Sequence, residues 1–534
     1  MKEPTYVAIA LLLSISLRLY PTLLSGLPFS TDGWPLIRNA ELLIKYTPTD
    51  IGNDKVFDGY NNYWPLSSVF GVVLSYVLGF KPIEAMALGV PLAGALTILI
   101  FYVLVRKITQ EPRVAFLSSI LLATAYPYAF FMASVTKETY ANPLYMILLL
   151  IFLTEGGLEK VLIFTIASVA LVSAHHLTTA VTIASLLSIT IATSIIRVKN
   201  GLGVDKSKII FTSILVVIAL VYFWTFAFRG FKLVLSVSDL ISIFSYQLVA
   251  FAITLYPALK HKVSSNRVIL LRCFALLMLE FILVFLMLKT SIVPGAPSLP
   301  VHYIFYMVPF AVLFLILTWY EGLSRAKDDY GIVSYFWLAV IYGVEGYAIF
   351  SMSSIGLSIG TRALNFLWPP MAIIGSAGLY QLYETKNELL KEKLSKAVVT
   401  VAVVTVVSIG AFSTYASVSL QERYMAYFFL YTVPEYRGAY FISAFNNETV
   451  LGDMKVFYLL KTYFNVNVDS IDGLESLMGQ AKYKPRVLFI YDQMFKNGYV
   501  LYEGLTIDLP KSCVKRILEL NNIYSNGVVN IDVW

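Results

Sequence analysis

Residues 398–410 read VVTVAVVTVVSIG and residues 161–174 read VLIFTIASVALVSA, and blocks of this kind decide the fold class. They lack the apolar–polar alternation of a half-buried strand. Of the 534 residues, 58% are hydrophobic and 14% are charged, whereas a soluble domain has about 25% charged residues. The mean hydropathy of +0.73 implies more apolar surface than the core of a soluble protein can bury. Most of the chain is therefore predicted to lie in lipid, where the backbone must pair internally and forms helices.

The apolar blocks predict a polytopic α-helical membrane protein with about thirteen transmembrane helices. Lys and Arg in the short loops form five clusters, and an alternating topology puts all five on one side. Cytoplasmic loops carry the excess of positive residues, so we expect the N-terminus in the cytoplasm and the tail outside the plasma membrane. The predicted spans are 6–26, 84–106, 114–133, 143–156, 160–175, 177–196, 208–228, 237–258, 267–289, 301–322, 332–352, 363–383 and 397–419.

The sequence predicts two domains. Residues 1–421 form the transmembrane domain, with a long first external loop at 27–83. In that loop Trp34–Tyr46 has the pattern of an amphipathic helix suited to the membrane surface. Trp64–Leu78 is predicted to be a second interfacial helix that ends at Gly79.

Residues 422–534 are predicted to form a small extracytoplasmic α/β domain. Thr449–Gly452, Val466–Asp469 and Arg486–Tyr491 have the composition of strands, and helical segments follow the first two. Strands that alternate with helices are typical of α/β structure.

Asp32 is the main candidate for chemistry. It follows the first helix in Ser30-Thr31-Asp32-Gly33-Trp34 and directly precedes the amphipathic helix. A carboxylate at the outer surface could accept a proton or bind a metal ion. The alternative is structural, because an Asp that precedes a helix is a normal N-cap, and spacing alone slightly favours the cap.

Lys137-Glu138 is the second candidate, in a short outer loop between two spans. If Glu138 lies near Asp32, the two carboxylates could serve as an acid/base pair or bind a divalent cation such as Mg²⁺ or Mn²⁺. The alternative is a solvated loop end.

Four further residues could bind a substrate. The adjacent imidazoles of His175 and His176 fall at an outer turn and could bond a sugar hydroxyl or a phosphate, although polar packing at a helix end explains His176 better. Arg362 opens a span, where its guanidinium matches a lipid phosphate, and Arg229 has the same two interpretations, phosphate contact or interface anchor. Ionisable residues within spans are candidates for a transport pathway: Arg18, Glu280 and Glu345.

The layout resembles the GT-C superfamily of membrane glycosyltransferases, which take sugars from polyprenyl-phosphate carriers. It is closest to archaeal members, in motifs spread along the chain: Leu27–Ala40 (LPFSTDGWPLIRNA), Tyr60–Leu66 (YNNYWPL), Ala174–Thr179 (AHHLTT), Thr361–Pro370 (TRALNFLWPP) and Ile523–Gly527 (IYSNG). The resemblance implies that Asp32 is the catalytic acid of the first loop and that Glu138 is a second acidic position. It also implies that Arg362 contacts a lipid phosphate. The chemistry requires positive charge on the departing phosphate, for which Lys137 or a metal ion is a further candidate.

The resemblance implies transfer of a sugar from a polyprenyl (dolichyl) phosphate to a lipid-linked glycan or protein acceptor on the outer face. The tail lacks the WWDYG-type motif of oligosaccharyltransferases, and Lys137-Glu138 is not a DxD pair, so a single-sugar transferase is favoured over whole-glycan transfer. A lipid-linked sugar transporter or flippase and a scaffold protein stay open as alternatives. The expected partners are these lipids and acceptors, and not nucleic acid.

Overall fold

The computed structural model describes most of the chain in two compact units. The first unit comprises Met1–Leu17, Ala93–Met132 and Tyr140–Ser413, and the second comprises Arg18–Leu92, Ala133–Thr139 and Thr414–Trp534. The described residues are 2–154, 156–230, 236–259, 278, 282, 285, 301–302, 306, 329–351, 354–384, 392–423, 425–445, 448–480, 487–501, 504–517 and 519–533.

Long helices account for most of the described chain as far as Ser419. Two short 3₁₀ turns, Asn61–Tyr63 and Ala227–Arg229, lie between them. The α-helices are α1 (Glu3–Ser25), α2 (Gly33–Lys45), α3 (Leu66–Leu78), α4 (Pro82–Thr109), α5 (Pro112–Thr124), α6 (Tyr126–Met132), α7 (Lys137–Leu153), α8 (Leu158–Ala174), α9 (His176–Lys199), α10 (Lys206–Thr225), α11 (Val237–Leu259), α12 (Asp329–Phe350), α13 (Ser354–Glu384) and α14 (Glu392–Ser419).

Several of these helices can cross a membrane, so the prediction of a multi-pass membrane protein is confirmed. Among the described residues seven helices are long and apolar enough, and the pair α5–α6, bent by 69°, would make an eighth. The predicted number of thirteen is not confirmed. Helices α7 and α8 have 17 residues each, about 25 Å at 1.5 Å per residue, which is less than the ~30 Å hydrocarbon core. The spans predicted at 267–289 and 301–322 lie outside the described residues, apart from isolated positions.

Aromatic side chains hold the helices of the first unit together. Tyr145 on α7 packs against Trp337 on α12 and Phe366 on α13, with ring centroids 5.8 Å apart in both pairs. The indole N–H of Trp337 also donates to the hydroxyl of Tyr145. Packing of this kind replaces the hydrophobic driving force that is missing between helices in lipid.

The predicted sheet in the tail is confirmed. Its five strands are β1 (Val450–Leu451), β2 (Val468–Asp469), β3 (Val487–Tyr491), β6 (Asn521–Ser525) and β7 (Val529–Val533). They have the order β2-β1-β3-β7-β6: β1 pairs in parallel with β2 and β3, and β7 pairs antiparallel with β3 and β6. A short β4–β5 pair lies apart from it. The elements after Ser419 are α15 (Ala426–Phe429), α16 (Val433–Phe445), β1 (Val450–Leu451), α17 (Met454–Phe457), a π-helix (Tyr458–Tyr463), β2 (Val468–Asp469), α18 (Ile471–Met478), β3 (Val487–Tyr491), α19 (Asp492–Asn497), β4 (Tyr499–Val500), β5 (Thr506–Ile507), α20 (Lys511–Ile517), β6 (Asn521–Ser525) and β7 (Val529–Val533).

A buried carboxylate lies at the carboxyl end of β1. Asp453 accepts hydrogen bonds from the Tyr491 hydroxyl at 2.5 Å and from the backbone N–H groups of Val456 at 3.0 Å and Val500 at 3.2 Å. Burial raises the pKa of Asp453 to about 6, although these hydrogen bonds and the charge of Lys455 oppose the shift. The core of the tail therefore contains a carboxyl group whose pKa is raised by burial.

The amphipathic helix of the first loop has a different partner from the one predicted. Helix α2 begins one residue earlier than expected, and the apolar side chains of Trp34, Leu36 and Ile37 are buried in protein. The assignment of this face to the membrane surface was therefore wrong. Amphipathicity identifies the apolar face of a helix, but not whether lipid or another part of the chain covers it. Helix α3 ends at Gly79 as predicted, where φ is 70°, and its 13 residues are too few to span a bilayer.

Candidate active site

The turn before α2 is fixed by two other parts of the second unit. Phe29 and Ser30 are buried, and Ser30 has a φ of 109°, in the left-handed region that is costly for a residue with a side chain. The Ser30 N–H donates to the carbonyl of Phe429 at 2.9 Å, and the carbonyl of Phe29 accepts from the N–H of Val135 at 2.8 Å. Both contacts hold the residues that precede Asp32 in one conformation.

Asp32 occupies the N-cap position of α2, but its side chain does not act as a cap. Its backbone is already helical, with φ −67° and ψ −15°, and the carboxylate makes no capping hydrogen bond to the helix. Asp32 therefore stands at the predicted N-cap position but lacks the side-chain hydrogen bond of a typical cap residue. Thr31 and Gly33 on either side are buried, whereas Asp32 is partly exposed. Asp32 is thus partly exposed between two buried neighbours.

Glycine at position 33 allows the segment before α7 to approach this turn. A β-carbon at Gly33 would lie 3.0 Å from the Cβ of Val135 and 3.1 Å from its carbonyl oxygen, closer than ordinary contact. Lys137 and Glu138, three residues or fewer beyond Val135, open helix α7 and are largely buried, with 9% and 7% of their surface exposed. The structure therefore places Asp32, Lys137 and Glu138 on segments of one unit that contact each other.

The ammonium group of Lys137 lies over two aromatic rings of the first loop. Its Nζ atom is 4.1 Å from the ring centroid of Tyr60 and 5.1 Å from that of Trp64. Such cation–π contacts hold a charge at a site where little water reaches it. Both rings belong to the Tyr60–Leu66 motif, so the structure joins two of the predicted features.

Asp58 organises the same loop, and sequence reasoning did not single it out. Its carboxylate accepts from the side-chain amides of Asn39 at 3.3 Å and Asn61 at 2.5 Å. It also accepts from the backbone N–H of Asn61 at 2.8 Å. An Asp-Gly dipeptide followed by two Asn residues is a turn signal in which side chains bond the local backbone, and this signal could have identified the network.

Arg38 and Glu41 also differ from their predicted surroundings. Both are polar residues of the helix that was predicted to lie at the membrane surface. In the structure the Arg38 guanidinium donates to the carbonyl of Thr462 at 3.4 Å, and Glu41 accepts from the Tyr463 hydroxyl at 2.8 Å. Burial raises the pKa of Glu41, and the hydrogen bond from Tyr463 opposes this effect.

The other candidate residues lie in the first unit. The Nδ1 atom of His175 is 2.7 Å from the Thr178 hydroxyl and caps α9, and the ring of His176 lies 4.9 Å from that of His175. Arg362 lies well inside α13, which begins at Ser354 and not at the predicted boundary, and its side chain is half-buried. Arg229 is exposed in the 3₁₀ turn after α10. Their roles stay predictions.

A divalent cation would need several acidic or imidazole side chains around one point. No group of three or more His, Cys, Asp or Glu side chains comes together in the described part of the chain. Asp32 and Glu138 are two carboxylates, fewer ligands than a cation site built from protein side chains alone requires. Within the described residues, these two carboxylates therefore do not by themselves fit a divalent-cation site.

Comparison with known proteins gives the fold. No protein-family profile and no curated protein sequence matches the chain. Among solved structures it is similar to the archaeal oligosaccharyltransferase AglB from Archaeoglobus fulgidus in complex with an inhibitory peptide and a dolichol-phosphate, with a TM-score of 0.60 and 12% identity. The match covers 92% of this chain and 69% of that one. The chain has the GT-C fold.

Two further structures of the same oligosaccharyltransferase match the GT-C fold of this chain. The complex with Zn and sulfate has a TM-score of 0.57 at 13% identity and covers 92% of this chain and 68% of that one. The form tethered to an acceptor peptide containing the NVT sequon has a TM-score of 0.56 at 14% identity, with coverage of 92% and 69%. The resemblance seen in the sequence motifs is thus confirmed at the level of the GT-C fold.

Proposed function

We propose that this protein is a membrane glycosyltransferase that takes a sugar from a polyprenyl phosphate, such as dolichyl phosphate, and transfers it to a lipid-linked glycan or a protein. The observation that carries the proposal is the Asp32 turn: a carboxylate without a capping role, held by Phe429 and Val135, in a chain with the GT-C fold. The solved neighbour binds a dolichol-phosphate and a peptide, which supports a lipid-phosphate donor.

In the proposed reaction Asp32 accepts the proton of the attacking acceptor group. The acceptor atom forms a bond to the anomeric carbon of the sugar while the bond from that carbon to the phosphate oxygen breaks. The electron pair of the broken bond leaves with the lipid phosphate, so a single displacement inverts the anomeric centre. Positive charge that stabilises the departing phosphate is assigned to Lys137, and Glu138 is the second candidate base. Arg362 is proposed separately as a contact to a lipid phosphate.

Burial of Lys137 supports this role. An ammonium group that rests on the rings of Tyr60 and Trp64 with 9% of its residue exposed interacts more strongly with a phosphate than a solvated one. His175, His176 and Arg229 are proposed as contacts to the sugar or to the lipid, and the outer face of the plasma membrane as the location of the reaction.

Transfer and transport can be separated in one experiment. The purified protein is reconstituted in liposomes with dolichyl phosphate that carries a radiolabelled sugar, mannose and glucose in parallel, and with a membrane lipid extract as acceptor. We expect the label to move from the donor to a second lipid or to protein. Movement of intact donor between leaflets without transfer would contradict the proposal and favour the transporter alternative.

The same assay separates single-sugar from whole-glycan transfer. A product that is larger than the acceptor by one sugar supports the single-sugar transferase. Transfer only from a donor that carries a preassembled oligosaccharide would instead favour an activity like that of the solved oligosaccharyltransferase.

A further inference from the structure

Three side chains on one face of α2 pack against the part of the second unit that contains the five-stranded sheet. This part, residues 425–533, is called the sheet domain below. Trp34 is fully buried, and its ring centroid lies 5.1 Å from that of Tyr431 and 5.2 Å from that of Tyr463. One turn later Arg38 reaches the carbonyl of Thr462, and Glu41 then accepts the Tyr463 hydroxyl at 2.8 Å. Positions i, i+4 and i+7 share one face of a helix, so the three contacts act on the same side of α2.

The surface that receives α2 is held together by buried polar contacts. The Tyr431 hydroxyl donates to the carbonyl of Lys455 at 3.0 Å. The ammonium of Lys455 is 2.7 Å from the carboxylate of Glu435, with only 2% and 4% of the two side chains exposed. Thr462 and Tyr463 belong to a π-helix, a rare conformation that is frequent at functional sites. A buried ion pair and an unusual helix thus fix the rings that contact Trp34.

The opposite face of α2 is fixed as well. The Ser68 hydroxyl on α3 donates to the carbonyl of Leu36 at 2.9 Å, and Asn39 bonds Asp58 at 3.3 Å. Asp32 directly precedes this helix, so any rotation or shift of α2 moves the backbone of Asp32. The orientation of the carboxylate therefore depends on contacts that lie two turns away from it.

We propose that Glu41 and Tyr463 are positioning residues for the reaction: their hydrogen bond locks α2 in the register that presents the Asp32 carboxylate to the reacting groups. The inference rests on the proposed function and adds residues to it that lie outside the predicted site. Trp34 supplies the apolar part of the same contact, and Arg38 supplies a second polar one. The contact acts through α2, and neither Glu41 nor Tyr463 touches the reacting atoms.

The Tyr463–Glu41 bond can be removed without removing the ring. In Tyr463→Phe the ring stays packed on Trp34, and the hydroxyl that donates to Glu41 is lost, together with its hydrogen bond to the side chain of Tyr436. Glu41→Ala removes the contact with Glu41 and leaves the Tyr436–Tyr463 pair in place. A hydrogen bond to a charged acceptor corresponds to about a tenfold change in an equilibrium. Tyr440→Phe is the matched control, since Tyr440 lies on the same domain and is 62% exposed.

The experiment compares wild type, Tyr463→Phe and Tyr440→Phe as full chains in detergent. Hydrogen–deuterium exchange of the peptide that covers 33–45 should be about tenfold faster in Tyr463→Phe, while peptides of the sheet domain and the control variant stay unchanged. With the labelled dolichyl-phosphate sugar as donor, kcat should fall about tenfold with the donor KM unchanged. Glu41→Gln, which keeps an acceptor for Tyr463, should restore most of the rate relative to Glu41→Ala.

Three results would overturn the inference: unchanged exchange of α2 in Tyr463→Phe, faster exchange with an unchanged kcat, or a loss confined to donor KM. Failure of the proposed function gives a different result, because wild type itself then transfers no sugar, whatever the exchange of α2. If Tyr463→Phe does not fold, Glu41→Gln and Glu41→Ala decide by the same two measurements.

Discussion

Replacement of Asp32 by Asn isolates the chemistry of the carboxylate. The two side chains have nearly the same shape, but the amide cannot take up the proton of an acceptor. An Asp that caps a helix contributes ~1 kcal/mol of stability, and Asn caps equally well. Because the Asp32 side chain makes no capping bond, even Asp32→Ala should lose less stability than a true cap would.

The expected loss of transfer rate follows from the proposed role of Asp32 as a general base. General-base catalysis contributes ~10²–10⁴-fold to a rate, which corresponds to roughly 2.7–5.4 kcal/mol of transition-state stabilisation. We expect Asp32→Asn to keep the wild-type thermal midpoint and donor affinity, and to lose transfer activity by that factor. The control is Asp50→Asn, an exposed carboxylate of the same loop that bonds only the backbone N–H of Gly52 in the described contacts.

The assay is initial-rate transfer of radiolabelled sugar from dolichyl phosphate, combined with donor binding and thermal unfolding of each variant. Near-normal transfer by Asp32→Asn would refute the assignment of Asp32 as base and make Glu138→Gln the next variant to test. A lower thermal midpoint in Asp32→Asn would refute the conclusion that the side chain has no capping role.

Three other predictions concern different parts of the chain. Arg362→Lys should weaken donor binding because lysine lacks the bidentate fork of the guanidinium, and Arg362→Ala should lower the free energy of donor binding by ~1.5–3 kcal/mol. If a binding titration gives both variants the affinity of wild type, Arg362 is only an anchor at the membrane interface. The folded-state pKa of Asp453, about 6, lies above its unfolded value of about 3.9. The free energy of unfolding of wild type should therefore fall by up to about 3 kcal/mol as pH rises from ~4 to ~6. Asp453→Asn should lack this pH dependence in thermal unfolding, and the same dependence in both proteins would contradict the assignment to Asp453. A cysteine at Ser525 should be labelled from outside, and one at Lys391, which lies outside the described residues, only after permeabilisation; the reverse would move the candidate site to the cytoplasmic side.

Helices were predictable from the sequence because their signal is local. Apolar blocks and their end signals placed α4 at 84–106, and the structure extends it to Pro82–Thr109. Gly79 ended α3 as predicted, since only glycine adopts the left-handed conformation there at little cost. The number of true spans could not be read in the same way. An apolar helix of 17 residues has the same composition as a span but a shorter length.

The site was predictable in part. Asp32 was proposed as a site residue from its position between a span and an amphipathic helix, but the contacts that hold the turn before it were not predicted. Phe429 and Tyr463 lie roughly 400 residues further along the chain, and no local pattern connects them with Asp32. The hairpin β6–β7 was missed for a different reason. Its Asn526-Gly527 turn, with a φ of 84° at Gly527, is a strong hairpin signal that composition alone does not weigh.

During translation, α2 is synthesised long before the residues of the sheet domain that it packs against. Glu41 and Tyr463 are 422 residues apart, and at about 5–20 residues per second a ribosome needs roughly 20–80 seconds to cover that distance. During this interval Tyr463, which packs against Trp34 of α2, has not yet been synthesised. The carboxylate of Asp32 therefore acquires its final support only after the spans that precede the sheet domain have been made. A chain interrupted before Tyr463 would carry Asp32 without the contacts to the Tyr463 segment, so on the proposed mechanism we expect it to transfer no sugar.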